Sequence, residues 1–197
     1  MAGNSVLGAL RHAWLTLQPL HAPMAMMGGL ALAAWEHVRA TQDVDLLVGV
    51  AHSRVPELID QLQPAGFRPK RSPPLLTLGN LRLLQFIYQP AETYLDLQVD
   101  LLIADSEYEH VALSRRIAAR LPGLDIEIAV LTCEDLILHK LLAGRILDRA
   151  DAAALLVANR PRLDTDYLLH WSNTLGLTTE MSEVWQTAFP GQRPPSL

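Results

Sequence analysis

Apolar residues recur along the chain at two periods, and the switches between those periods divide it into elements. Leu7, Leu10, Trp14 and Leu17 fall three and four apart, one face of an amphipathic helix over about Ser5 to Leu17. Met24 to Met27 is a short apolar run ended by Gly28-Gly29 and reads as a strand, with Leu30 to His37 as a helix behind the glycines. Asp43 to Val48 reads as a second strand. Ser53 can cap a helix carrying Val55, Leu58, Ile59 and Leu62, which stops near Pro64 and Gly66. Phe67 to Lys70 and Leu81 to Tyr88 read as strands joined by a connection rich in Pro and Gly. Alternation is clearest from Tyr94 to Ile103. There Leu95, Leu97, Val99 and Leu101 share one face, and Asp96, Gln98, Asp100 and Leu102 the other.

Helical spacing dominates the second half. Glu107 to Ser114 is a helix candidate, and Arg116 to Arg120 with Ile126 to Val130 form a hairpin around Pro122-Gly123. Thr132 to Asp135 has the form of a capping box with Asp in the place of Glu, opening a helix through Lys140 to Gly144. Further helices are expected over Asp151 to Val157, Tyr167 to Leu175 and Glu180 to Phe189, before a frayed, proline-rich end. The fold class is α/β (α+β), a mixed sheet flanked by helices with a helical C-terminal extension. Residues 1–130 make the core, and 131–197 a helical part packed on it as one unit.

Composition narrows the function. The 197 residues are 50% hydrophobic and 19% charged, an ordinary globular balance. The longest apolar run, Ala22 to Trp35, is too short for a bilayer and contains Pro23 and the glycine pair, so no membrane partner is expected. Arg11 and His12 interrupt the opening stretch, so no signal peptide is expected either. The single Cys133 excludes an intrachain disulfide and a thiolate zinc cluster and suits a reducing cytoplasm. A net charge of −5 argues against adhesion to nucleic acid through bulk charge. Locally the balance reverses: between Asp60 and Glu92 there is no acid, while Arg68, Lys70, Arg71 and Arg82 all fall there. Such a face can hold a polyphosphate or an RNA backbone, or be a solvated hairpin with scattered cations.

Candidate chemistry begins with Asp43 and Asp45. Two residues apart in a strand, they point to the same face with Cα atoms about 6–7 Å apart, within reach of one divalent cation. Val44, Leu46, Leu47 and Val48 imply a half-buried setting, where two like charges are costly unless neutralised. Asp100 in a neighbouring apolar strand completes a trio suited to a two-metal phosphoryl-transfer centre, although Asp96 or Asp105 meets the same compositional requirement. Backbone N–H groups at Gly28-Gly29 can meet phosphate oxygens, and Lys140 offers a mobile positive charge or a snorkelling surface group.

Gly28-Gly29, Arg39-x-Thr41-x-Asp43-x-Asp45 and Val99-Asp100-Leu101-Leu102, in that order, resemble the nucleotidyltransferase superfamily of DNA polymerase beta type. Thr132-x-Glu134-Asp135-Leu136, Lys140-Leu141-x-Ala143-x-Arg145 and Asp148-x-x-Asp151 are similar to the later motifs of its AbiEii-type branch, whose members include toxins. The likeness spans about Pro23 to Leu156. It implies a transferase of the EC 2.7.7 type that moves a nucleoside monophosphate from a nucleoside triphosphate (NTP) to an acceptor hydroxyl, with two Mg2+ ions. By the same resemblance Asp43 and Asp45 hold magnesium. Asp100 binds the second ion and helps take the acceptor's proton, while Gly28, Gly29, Lys140 and Asp148 belong to the nucleotide and phosphate site. Many relatives carry Gly-Ser where this chain has Gly-Gly. Arg39 and Thr41 shape the loop entering the metal strand, and Arg145 and Asp151 fix the later helix.

The acceptor stays open between RNA (a tRNA end, for instance), a protein and a small aminoglycoside-like molecule, and an antitoxin protein is an expected partner. A non-catalytic nucleotide- or partner-binding module on the same fold is the alternative to an enzyme.

Overall fold

Eight strands hydrogen-bond into one mixed sheet in the computed structural model, which describes residues 2–79, 81–90, 94–192 and 194. The strands are β1 (Met24–Met27), β2 (Asp43–Val48), β3 (Phe67–Pro69), β4 (Leu75–Leu78), β5 (Leu81–Tyr88), β6 (Leu97–Ile103), β7 (Ile117–Ala119) and β8 (Ile128–Val130). Their order is β3-β5-β6-β2-β1-β8-β7, with β4 also on β5. β2 runs parallel to β6 and β1 parallel to β8, and the other pairs are antiparallel. β2 is central and fully buried at Val44, Leu46, Leu47 and Val48, so only its leading end can carry acids near solvent.

The helices are α1 (Ala2–Leu17), α2 (Gly28–Ala31), α3 (Val55–Leu62), α4 (Glu107–Arg115), α5 (Cys133–Ala143), α6 (Ile146–Asn159), α7 (Thr165–Thr174) and α8 (Thr178–Ala188). α1 buries Leu10, Ala13 and Leu17 against α3 and strands β2 and β6. α6 packs on α5 and α8, and α7 on α5. Tyr108 and Trp171 meet at 5.1 Å between ring centroids and lock α4 to α7.

Four local expectations change. The helix behind the glycines is only the four-residue α2 plus a 3-10 turn over Leu32–Trp35, so it has little dipole to offer an anion. Ser53 does not cap α3. A 3-10 turn over His52–Arg54 leads in, and the residue before the helix is Arg54. At Thr132 the hydroxyl accepts from Asp135 N at 3.3 Å and donates to Asp135 Oδ2 at 2.6 Å, because an Asp side chain is too short to turn back to the capping backbone. The reciprocal box is at Ser106 and Glu109, opening α4. α6 starts five residues before the expected Asp151, its first turn carrying Ile146 and Leu147 in solvent. The frayed end expected beyond Gln192 lies outside the described residues, apart from Pro194.

Candidate functional site

Register sets the site. β2 and β6 pair with Asp45 opposite Asp100, and β5 places Gln85 opposite Asp100 from the other side. Neighbouring strands lie about 4.8 Å apart, so Asp45 and Asp100 project side by side, with Asp43 two residues back along β2. A cleft of about 330 Å³ opens over them, large enough for a small ligand. The structure brings to that cleft all seven residues expected at the metal and phosphate site: Gly28, Gly29, Asp43, Asp45, Asp100, Lys140 and Asp148.

The glycines are there for space. Gly28 has φ +67°, and a Cβ on it would fall inside the carboxylate of Asp45. A Cβ on Gly29 would lie 2.8 Å from Thr41 Oγ1, so the Thr41 hydroxyl fills the space a serine would need there. Thr41 also accepts from Asp43 N at 3.4 Å, tying the entry loop to the head of β2.

The acids repel one another. Burial raises the pKa of Asp45, and the charges of Asp100 and Asp43 add to that, pushing it up to about 6. Burial also raises Asp100. Hydrogen bonds from Gln85 and Gln98 pull it back in part. Three carboxylates and no thiolate form a donor set for a hard divalent cation, and the raised Asp45 marks a charge that such a cation would relieve. As the side chains stand, no three acidic, His or Cys groups among the described residues close on a metal-binding point. Asp45 turns toward Gly28, while Asp100 is held by Gln98 Nε2 at 2.9 Å and Gln85 Nε2 at 3.2 Å. The strands juxtapose the acids at the backbone, and side-chain rotation would have to bring the trio together.

Opposite the acids, Lys140 is neither mobile nor snorkelling. It is buried, with Nζ 2.9 Å from Asp148 Oδ1 and 2.8 Å from Asp151 Oδ2, so two of its three N–H donors are held. Arg145 bonds Asp148 Oδ2 at 2.5 Å, and Arg39 Nε reaches both oxygens of Asp151 at 3.0 and 3.1 Å. Burial works to raise both carboxyls. For Asp148 the hydrogen bonds of Arg145 and Lys140 outweigh it, and for Asp151 those of Lys140 and Arg39 do, so both end below the ordinary range. Asp148 is nearly sealed from solvent, and it fixes Lys140 and Arg145, two of the three cations that border the cleft with Arg39.

Residues beyond the sequence reading also enter the site. Gln98 was on the acid-bearing face of β6, a signal available from alternation. Gln85 emerges only from strand register. His139 lines the cleft from α5; burial pulls its pKa down to about 4, leaving it neutral, and its Nε2 finds no partner among the described residues.

A family model described as the nucleotidyl transferase AbiEii toxin of a type IV toxin–antitoxin system matches residues 9–154. No curated protein matches the sequence. Among solved structures, an antigenic nucleotidyltransferase-like protein from Paracoccidioides brasiliensis superposes with a TM-score of 0.52 at 17% identity, over 93% of this chain and 96% of that one. The antibiotic-resistance factor ANT(2'')-Ia gives 0.56 at 13% identity, over 93% and 98%. JHP933 from Helicobacter pylori gives 0.50 at 15% identity, over 94% and 80%. At such identities these three are similar in fold.

Proposed function

The chain belongs to the AbiEii nucleotidyltransferase family, and from that premise we propose that it transfers a nucleoside monophosphate from an NTP to a hydroxyl of an RNA acceptor, with magnesium held by Asp43, Asp45 and Asp100. The observation that carries this reading is the register of β2 and β6, which sets Asp45 beside Asp100 in a cleft bordered by Gly28. Magnesium, when bound, supplies positive charge against the triphosphate and the leaving pyrophosphate. The protein's own groups do the rest. Backbone N–H groups at Gly28 and Gly29 approach the triphosphate, where a Cβ at Gly28 would displace Asp45 and one at Gly29 would strike Thr41. Lys140 and Arg145, anchored by Asp148, present fixed cations to its oxygens. Asp100 orients the acceptor hydroxyl and takes its proton, a role suited to a carboxyl whose pKa burial has raised. The acceptor oxygen bonds the α-phosphorus as the bond to the bridging oxygen breaks, and pyrophosphate leaves with that electron pair.

RNA is favoured over a cationic small molecule by the stretch from Arg68 to Arg82, which carries four cations and no acid. Family membership supports a toxin role with an antitoxin protein as partner. Buried, reduced Cys133 supports work in the cytoplasm. No helix among the described residues is long and apolar enough to cross a membrane.

Incubation with Mg2+, a cell extract and triphosphate labelled at either the α- or the γ-phosphorus tests the reaction. Label from the α position in RNA, absent with Asp43→Asn, is expected. Transfer of the γ label would make the enzyme a kinase and end this reading.

A further inference from the structure

The four cations of the acid-free stretch fall into two kinds. Arg68 Nη2 lies 3.6 Å from Asp96 Oδ1, and Arg82 Nη1 lies 3.0 Å from Asp105 Oδ1, so both face a carboxylate. Lys70 and Arg71 do not. Lys70 Nζ donates to Gln98 Oε1 at 2.6 Å, and Arg71 Nη2 donates to Gln85 Oε1 at 2.5 Å. An amide accepts the hydrogen bond and orients the side chain without cancelling its charge. No carboxylate among the described residues lies within ion-pair distance of either cation, and both are exposed. The same two amides turn their NH2 groups to Asp100. Each cation therefore stands one glutamine away from the acid assigned to the acceptor hydroxyl, close enough for Lys70 to act on Asp100 by charge. Across the cleft the pattern reverses, since Lys140, Arg145 and Arg39 are all matched by Asp148 and Asp151.

We propose that Lys70 and Arg71 form the acceptor site, gripping two phosphodiester groups of a single-stranded RNA next to its reacting hydroxyl, while Gln98 and Gln85 tie that grip to Asp100. The proposal rests on the transfer reaction above and adds where the acceptor binds and what chemistry recognises it. A chain with net charge −5 gains little from diffuse attraction to RNA, so the two cations must act as a local site.

The test uses the full chain with Mg2+, a fluorescein-labelled single-stranded RNA of about 12 nucleotides and, separately, a nucleoside triphosphate analogue that cannot be cleaved. RNA binding is followed by anisotropy between 50 and 200 mM salt, and triphosphate binding by equilibrium dialysis. Two lost phosphate contacts on a single strand flatten the salt slope by about 1.4, which at 0.1 M salt weakens Kd by ~25-fold. That loss is expected for the Lys70→Ala, Arg71→Ala pair, with the triphosphate Kd held, and Lys70→Arg alone should keep the slope. The Arg68→Ala, Arg82→Ala pair should also keep it, because those cations are already matched. An unchanged slope in the first pair, or equal loss in both pairs, overturns the acceptor site. Tighter binding of a polyglutamate peptide than of RNA by the unaltered chain overturns it in favour of a protein acceptor. If the unaltered chain fails to bind the triphosphate, the transfer reading falls and takes the acceptor role with it. That outcome is distinct from triphosphate binding with an unmoved RNA slope.

Discussion

Asp45→Asn should make the metal-free protein more stable while removing transfer. The shape of the side chain is kept, and what disappears is a charge opposed by burial and by Asp100 and Asp43. With its pKa at about 6 in the fold against an ordinary 3.8, and 1.36 kcal/mol per pKa unit, ionised Asp45 costs the native state about 3 kcal/mol at neutral pH. The sign follows from proton binding. Between pH 4 and 6 the folded form holds a proton that the unfolded chain has released, so stability falls as pH rises through that window. The variant escapes that loss. Its advantage should be full at pH 7.5, shrink as pH falls from about 6 and vanish below about 4, where both forms are neutral. For a chain of this length 3 kcal/mol corresponds to roughly 6–12 °C in Tm. Thermal and urea unfolding in a chelator at pH 4, 5, 6 and 7.5 measures it, and Mg2+ should then narrow the gap by stabilising the unaltered protein alone. A variant no more stable at pH 7.5, or a gap independent of pH, would show that ionised Asp45 carries no such cost in the fold.

Other substitutions probe the remaining contacts. Gly28→Ala meets both a positive φ and the Asp45 carboxylate, so it should cost about 1–3 kcal/mol; adding Asp45→Ala should return part of that loss in urea titrations, and full additivity would deny the clash. Lys140→Met leaves Asp148 and Asp151 buried with one cation fewer and should destabilise by about 3 kcal/mol, with unchanged unfolding showing that the pair is not maintained in solution. Gln98→Leu removes the 2.9 Å bond to Asp100 and should lower kcat roughly tenfold or more with little change in Tm, whereas unchanged kcat would mean that Asp100 needs no such holder.

β2 was legible because its run from Asp43 to Val48 is apolar apart from two acids, and β6 because its alternation is strict. Composition and spacing leave Asp96, Asp100 and Asp105 as equals, and only the family resemblance points to Asp100. The structure separates them through partners far along the chain, Arg68 for Asp96 and Arg82 for Asp105, so that Asp100 is the one on the cleft. β4 was hidden in a connection holding Pro73 and Pro74, residues that read as breakers. The first turn of α6 was hidden because Ile146 and Leu147 face solvent and break the apolar rhythm. The burial of Lys140 in ion pairs is hidden from the sequence for the same reason as the place of Gln85. The lysine's partners Asp148 and Asp151 lie on the next helix, beyond the left-handed turn at Gly144, and no local period encodes that meeting.

In the proposed reaction Asp43, Asp45 and Asp100 turn to a common point when a divalent cation and a triphosphate are present. Anomalous diffraction from crystals grown with Mn2+ and a triphosphate analogue that cannot be cleaved measures this directly. Manganese peaks are expected about 2.0–2.3 Å from oxygens of all three carboxylates, with Asp45 rotated away from Gly28. Manganese bound elsewhere, or Asp45 still turned onto Gly28 with the nucleotide in place, would mean that the three acids do not share a metal.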